Sequence, residues 1–308
     1  MCLGSLAACG GAGSAPASSP AAGLSLRSVN ATYPVGLTAV GRQVWVANTG
    51  SGTVGPAGGG STADVRVGSL PLRAAFDGRL LWVTVFGSGD VVAVDPARHT
   101  VVRRVHVGSQ PEGIVAAFGG IWVVQQQAGR LIELTPSGRI EQRIRVGSSP
   151  RLVAAAGKAL FVSDFGGNRI ERVDPRDGTV GRSGRVCNGP QGMAAAADAL
   201  WVTCTPDNAV VTLSLPSLHP LGRVTVPGEP DAIRADAGRV YVAATTGPTL
   251  SELGTDVHRP SVAQHWSLGT DPPLRDQANV DLLVVGTRFW VSSPNGGRVI
   301  AGRLPGAD

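Results

Sequence analysis

Four polar residues, Glu112, Arg151, Gln191 and Asp231, each directly follow a proline, and two more, Gln125 and Asp164, each stand three residues after a large aromatic. They come in order from consecutive copies of one repeat, at places where the side chain changes from copy to copy. Such variable positions on a constant scaffold are where loops carry function. Acids, amides and a single arginine gathered in an arc suit a polar ligand or a peptide better than a phosphate. Cys187 and Cys204 add a second constellation. Cys187 lies three residues before Pro190, where other copies have Gly68, Gly108 and Gly147, and Cys204 lies three residues after Trp201. Both depart from the repeat in the same copy, so one disulfide explains both departures. No G-x-S-x-G, P-loop or H-E-x-x-H pattern occurs, and the number and spacing of the cysteines exclude a C-x-x-C or zinc site.

The elements that must position these residues follow from the period. Proline and aromatic recur as Pro34/Trp45, Pro71/Trp82, Pro111/Trp122, Pro150/Phe161, Pro190/Trp201 and Pro230/Tyr241, and Asn279/Trp290 keeps the spacing without the proline. The unit is about forty residues, enough for four short strands and their turns. Within it, "VVAVDP" (91–96) and "TVVRRVHVG" (100–108) alternate with period two between turn residues, the mark of strands. The reading is strand a after the proline, strand b carrying the aromatic, strand c ending near Asp-Pro and strand d ending in Val-Gly.

Seven such units predict an all-β fold, a seven-bladed β-propeller of four-stranded blades over residues 24–308. The last unit ends at "RVIAGRL" (298–304) without a strand d, and "LSLRSV" (24–29) is the spare strand that completes it. An insertion is expected at about 270–278, and within 271–281 three aspartates, Asp271, Asp276 and Asp281, lack the spacing of an EF-hand loop and read as a solvated segment.

The pattern "PVGLTAVGRQVWVAN" (34–48) resembles the YVTN-type and virginiamycin-B-lyase-like propeller repeats of bacterial extracytoplasmic proteins. The resemblance covers residues 24–304 and implies the propeller fold. For the lyases it also implies W-F-T-E repeats, histidines near the proline and a divalent metal that helps to hold the substrate. Here the aromatic motifs are "WVAN", "WVTV", "WVVQ", "FVSD", "WVTC", "YVAA" and "WVSS". His99, His219 and His258 fall near c–d connections, and His106 and His265 on strands d. None is placed as a central general base. The expectation is a non-enzymatic binding or sensing propeller without cofactor or metal. An extracytoplasmic lyase or hydrolase working at the channel mouth, a DNA-binding propeller and a purely structural propeller in an envelope complex are the alternatives.

The chain holds 43 Gly and 22 Pro in 308 residues, which suits a turn-rich sheet protein. Its net charge of +5 comes almost wholly from arginines scattered over every unit, with Lys158 the single lysine, so a nucleic-acid partner is not expected. "LAAC" (6–9) and the following Gly/Ala/Ser/Pro stretch resemble a lipobox with its tether. Residues 1–8 then read as a truncated signal remnant, Cys9 as the lipidated residue and 9–23 as a flexible tether. This predicts a monomeric extracytoplasmic lipoprotein whose partner is a polar ligand, a peptide or an envelope protein, touching the membrane only through its anchor.

Overall fold

The structure is a computed structural model that describes residues 24–272 and 279–305. Lipidation at Cys9, the signal remnant, the tether and Asp276 lie outside the described residues. Seven four-stranded antiparallel sheets form a ring, a seven-bladed propeller. Blade 3 shows the plan: strand a is Pro111–Ala117, b is Gly120–Gln125, c is Arg130–Leu134 and d is Ile140–Arg145. Among the described residues the helical turns are the 3-10 segments Ser61–Ala63 and Thr205–Asp207, and no helix is long and apolar enough to cross a membrane.

Strand a of each blade touches strand a of the next around the whole ring, including blade 7 back to blade 1, so the a strands line the axis. Strand b lies behind and carries the aromatic. Trp45, Trp82, Trp122, Phe161, Trp201 and Tyr241 are all essentially inaccessible. Each fills the wedge between its own blade and a neighbour: Trp122 packs with Leu160 and Val162 of blade 4, and Trp201 with Ile233 and Val242 of blade 6. Burial of an aromatic of this size is worth roughly 1.5–3 kcal/mol, so the eleven-residue spacing is a packing requirement repeated blade by blade. Blade 7 departs from it, because Trp290 is only half-buried.

Closure is as the repeat predicts. Leu26–Asn30 pairs antiparallel with Arg298–Arg303, from Leu26 opposite Gly302 to Asn30 opposite Arg298, and supplies strand d of blade 7. First and last strands share one sheet, which removes the edge that an incomplete blade would leave open.

Candidate functional site

Each of the first six a strands shifts register just after its first residue, for example between Pro111 and Ile114 and between Pro150 and Val153. A bulge of this kind leaves residues unpaired in the ladder and re-aims their side chains. It brings the residues one and two places after the proline to the axis. Hydroxyls on strand b hold the bulge. Thr84 Oγ1 accepts from Arg73 N (3.1 Å) and donates to Glu112 O of the next blade (2.9 Å). Thr203 does the same between Gly192 N (2.7 Å) and Asp231 O (2.8 Å), and Ser292 accepts from Asp281 N (2.7 Å). Where no long side chain stands two places after the proline, the blades approach too closely to admit one: a Cβ on Gly113 would lie 2.6 Å from Arg151 O, and one on Gly192 would lie 2.4 Å from Asp231 O.

Four of the six arc residues meet in one network across the axis. Arg151 Nε lies 2.9 and 2.8 Å from the two carboxylate oxygens of Glu112. Its Nη2 donates to Asn279 Oδ1 at 3.1 Å, and Gln191 Nε2 reaches the same oxygen at 3.4 Å. Asp231 joins through the backbone, its Oδ2 accepting from Val280 N at 2.6 Å. The Arg151 guanidinium also stands 5.3 Å from the centre of the Phe165 ring. Glu112, Gln191 and Asp231 are at most 3% exposed, so the arc is a closed floor across the axis.

Gln125 and Asp164 do not join this network. Gln125 Nε2 donates to Val107 O (2.7 Å), and Asp164 Oδ1 accepts from Ser148 N and Ser149 N (3.0 Å each). Both side chains tie the end of strand b to the d–a loop of the same blade. Cys187 and Cys204 perform that tie in blade 5 as a disulfide, with Cα atoms 6.0 Å apart. Ser293 bonds Asp271 at the matching place in blade 7.

Arg73 and Arg234, which hold the floor together, are not among the residues singled out in the sequence, and Asp281, expected in a solvated segment, is instead buried at 3% exposure because its carboxylate pairs with both arginines. Arg73 Nη1 meets Asp281 Oδ2 (3.1 Å) and Val280 O (3.2 Å), and Arg234 Nη2 meets Asp281 Oδ1 (2.7 Å). The signal was present two places after the proline, where the copies read Gly36, Arg73, Gly113, Leu152, Gly192, Ala232 and Asp281. Two opposite charges in a column of small or apolar residues mark a pair. Asp271, by contrast, is bound by Arg298 (2.9 Å) at the rim of blade 7, so it and Asp281 serve different networks.

Electrostatics on the axis are nearly matched, with Arg73, Arg151 and Arg234 against Glu112, Asp231 and Asp281. Burial raises the pKa of Glu112 although Arg151 and Arg73 oppose the shift. Burial likewise raises Asp231, opposed by the more distant Arg73. Asp231 is the one of the three carboxylates without an arginine in an ion pair among the described residues. Among the described residues, buried side-chain atoms are left without a hydrogen-bond partner here: Arg73 Nε and Nη2, Gln191 Oε1 and Asp231 Oδ1. A cavity of about 80 Å³ lies along the axis against Arg73, Gly113, Gly192, Ala232, Arg234 and Asp281. Of the residues with such atoms, Arg73 is the one that lines this cavity, while the unpartnered oxygens of Gln191 and Asp231 lie elsewhere in the floor. The five histidines stay on strands d or in c–d turns; His106 bonds Asp90 (2.9 Å) and His265 bonds Ser251 (2.8 Å).

No family model matches the chain. A virginiamycin B lyase of Nocardia farcinica is 32% identical over 88 residues, which is 28% of this chain and 31% of that relative. The matched part is thus about a third of the relative's length. Among solved structures, a catalytically inactive virginiamycin B lyase from Staphylococcus aureus with quinupristin superposes with a TM-score of 0.75 at 17% identity, covering 91% of this chain and 99% of that one. Hydrazine synthase of Kuenenia stuttgartiensis gives 0.72 at 16% identity over 90% and 97%. BamB from Moraxella catarrhalis gives 0.63 at 12% over 91% and 100%. These structures share the propeller architecture with this chain, which is similar in sequence to the lyase over a limited span.

Proposed function

We propose that this propeller is a non-enzymatic binding module of the bacterial envelope, exported and held at the membrane by a lipidated Cys9, that takes a small polar ligand or the end of a peptide on the axial floor. The observation that carries the reading is the set of buried atoms without partners among the described residues, Arg73 Nε and Nη2, Gln191 Oε1 and Asp231 Oδ1. Burying such groups unpaired is unfavourable. A ligand that offers both a donor and an acceptor relieves it. The Cys187–Cys204 disulfide supports export, since such bonds persist in oxidising compartments. Native mass spectrometry of the protein purified from its own envelope tests the proposal. A small molecule retained by the wild type and lost from Gln191→Leu supports it, and an empty wild-type protein overturns it. Labelled fatty acid that incorporates into the wild type and not into Cys9→Ser supports the anchor; incorporation into neither overturns it.

A second reading has one specific observation behind it. Asp231 is buried, has no arginine in an ion pair among the described residues, and burial raises its pKa, which is how a general acid or base is poised. Together with the partial similarity to virginiamycin B lyase this favours a lyase that uses Asp231. Incubation with quinupristin separates the two readings. A change of the compound that depends on Asp231 supports the lyase, and an unchanged compound supports the binder.

A further inference from the structure

One face of blade 7 carries three arginines with no counter-charge among the described residues. Arg288 and Arg303 stand directly opposite each other in the ladder between strands b and c. One row further in, Trp290 pairs with Ala301, and Ala301 pairs with Arg27 of the N-terminal strand. Residues paired in register share a face, so Arg288, Arg303, Arg27 and the Trp290 ring form one surface. These residues, with Ser25, line a concavity of about 220 Å³. All three arginines are exposed, and none makes an ion pair or hydrogen bond among the described residues.

Like charges directly opposite across a ladder destabilise a sheet. The neighbouring blade leaves this surface open. Trp290 packs toward Val44 and Val46 of blade 1, whose strand c is only Thr53–Pro56 and whose strand d is only Val65–Arg66. The outer strands of blade 1 are thus too short to cover the outer part of blade 7. Trp290 is half-buried where the other aromatics of the repeat are sealed, and it is one of the residues that line the concavity.

We propose that this surface is an anion site for a phosphate group, separate from the axial floor and independent of what binds there. Three guanidinium groups and the Ser25 hydroxyl around one concavity match the several acceptor oxygens of a phosphate better than the two of a carboxylate, and arginine pairs with phosphate through parallel hydrogen bonds. The volume is below the roughly 300–1,000 Å³ of drug-sized ligand sites, which fits a small headgroup with room for a ring against Trp290. The same chemistry is offered by a free phosphate monoester and by an anionic lipid headgroup.

Titration calorimetry of the 308-residue chain with phenyl phosphate, and co-sedimentation with phosphatidylcholine vesicles with and without phosphatidylglycerol, test the site and separate the sources. Binding of phenyl phosphate alone assigns it to a soluble phosphate ester; binding only to vesicles containing phosphatidylglycerol assigns it to the membrane surface. In either arm Arg288→Gln and Arg303→Gln are each expected to weaken binding about tenfold. Arg130 and Arg145 of blade 3 are also directly opposite, exposed and cationic, but the next row of their face holds Ile132 and Arg143 in place of an aromatic. Arg145→Gln is therefore the charge-matched control, expected to change binding less than twofold. A wild type that binds neither probe overturns the proposal, and so does an equal loss in Arg145→Gln, which would reduce the effect to overall charge. The exposed positions of the three substituted arginines are expected to leave folding intact, and circular dichroism of each variant checks that.

Discussion

The end of strand b and the start of strand a stand opposite each other in every blade, yet the side chains placed there keep different company. At the end of strand b, Gln125, Asp164 and Cys204 differ in every chemical respect and do one job, fastening the d–a loop of their own blade by an amide, a carboxylate or a disulfide. At the start of strand a, Glu112 is matched by Arg151 of the next blade, and Arg73 of blade 2 by Asp281 of blade 7. Variation in the first column is interchangeable, because each blade solves its problem alone. In the second it is reciprocal, because each charge is tolerable only beside its counterpart. A charge buried between blades depends on its partner far more than an exposed one does.

The sharpest way to break this comparison is to remove one reciprocal partner. Arg73→Met leaves Asp281 with Arg234 alone and takes a cation from beside Asp231 and Glu112. Loss of one member of a buried ion pair is expected to destabilise by about 3–5 kcal/mol, measured by urea denaturation. A loss below about 1 kcal/mol would show that the axial charges are as self-sufficient as the loop ties. Next in size is the covalent tie. Cys187→Ala with Cys204→Ala opens a loop spanned by a sequence separation of 17, for which roughly 3 kcal/mol is expected. Since that tie serves its own blade, its effect should add to that of Arg73→Met within about 0.5 kcal/mol. Strong coupling between them would merge the two columns.

The period of the sequence carried most of the backbone. Eleven residues from Pro111 to Trp122 are what a bulged strand, a tight turn and half of the next strand require, and Leu26–Asn30 was legible as the closing strand because blade 7 visibly lacked one. The disulfide was legible because two departures from the repeat coincided in blade 5. The floor was only half legible. Residue type shows that Glu112 and Asp164 are both acids in variable places, but the direction of a side chain at a strand end is set by the bulge after the proline, and no residue pattern in the chain announces that bulge. Arg73 and Asp281 lie at opposite ends of the chain and become neighbours only through ring closure, so their pairing follows from the fold and not from local spacing.

A smaller effect is expected where a loop tie is made by hydrogen bonds. Asp164→Ala strands the N–H donors of Ser148 and Ser149, and the loss of their shared acceptor should destabilise by about 1–3 kcal/mol. If the slot is as interchangeable as blade 3 implies, Asp164→Gln should recover part of the loss. No recovery would mean that the carboxylate is specific to blade 4 and that the two columns differ less than their partners indicate.

The smallest expected effect is the most direct test of reciprocity, because it concerns the axial carboxylate without an arginine of its own among the described residues. Burial raises the pKa of Asp231, so the folded protein holds that proton more tightly than the unfolded chain does. Its contribution to stability is therefore most favourable in acid, below the ordinary carboxylate range. It declines as pH climbs from that range through the raised value, and is level above it. Asp77 and Asp90 work in the opposite sense: hydrogen bonds lower their pKa against the opposing effect of burial, so the stability they supply at neutral pH is lost on acidification. The net profile of the wild type mixes both, and the difference between wild type and Asp231→Asn isolates one. The asparagine keeps an oxygen for Val280 N, which Asp231 Oδ2 meets at 2.6 Å, and carries no charge at any pH. The variant should therefore gain on the wild type as pH rises through that window, and the gap should close again in acid. Urea denaturation across the acid-to-neutral range reads the sign directly. A variant less stable than wild type at neutral pH would mean that Arg73 holds Asp231 ionised across the axis, which would place Asp231 among the matched charges and leave the floor without an unmatched carboxylate.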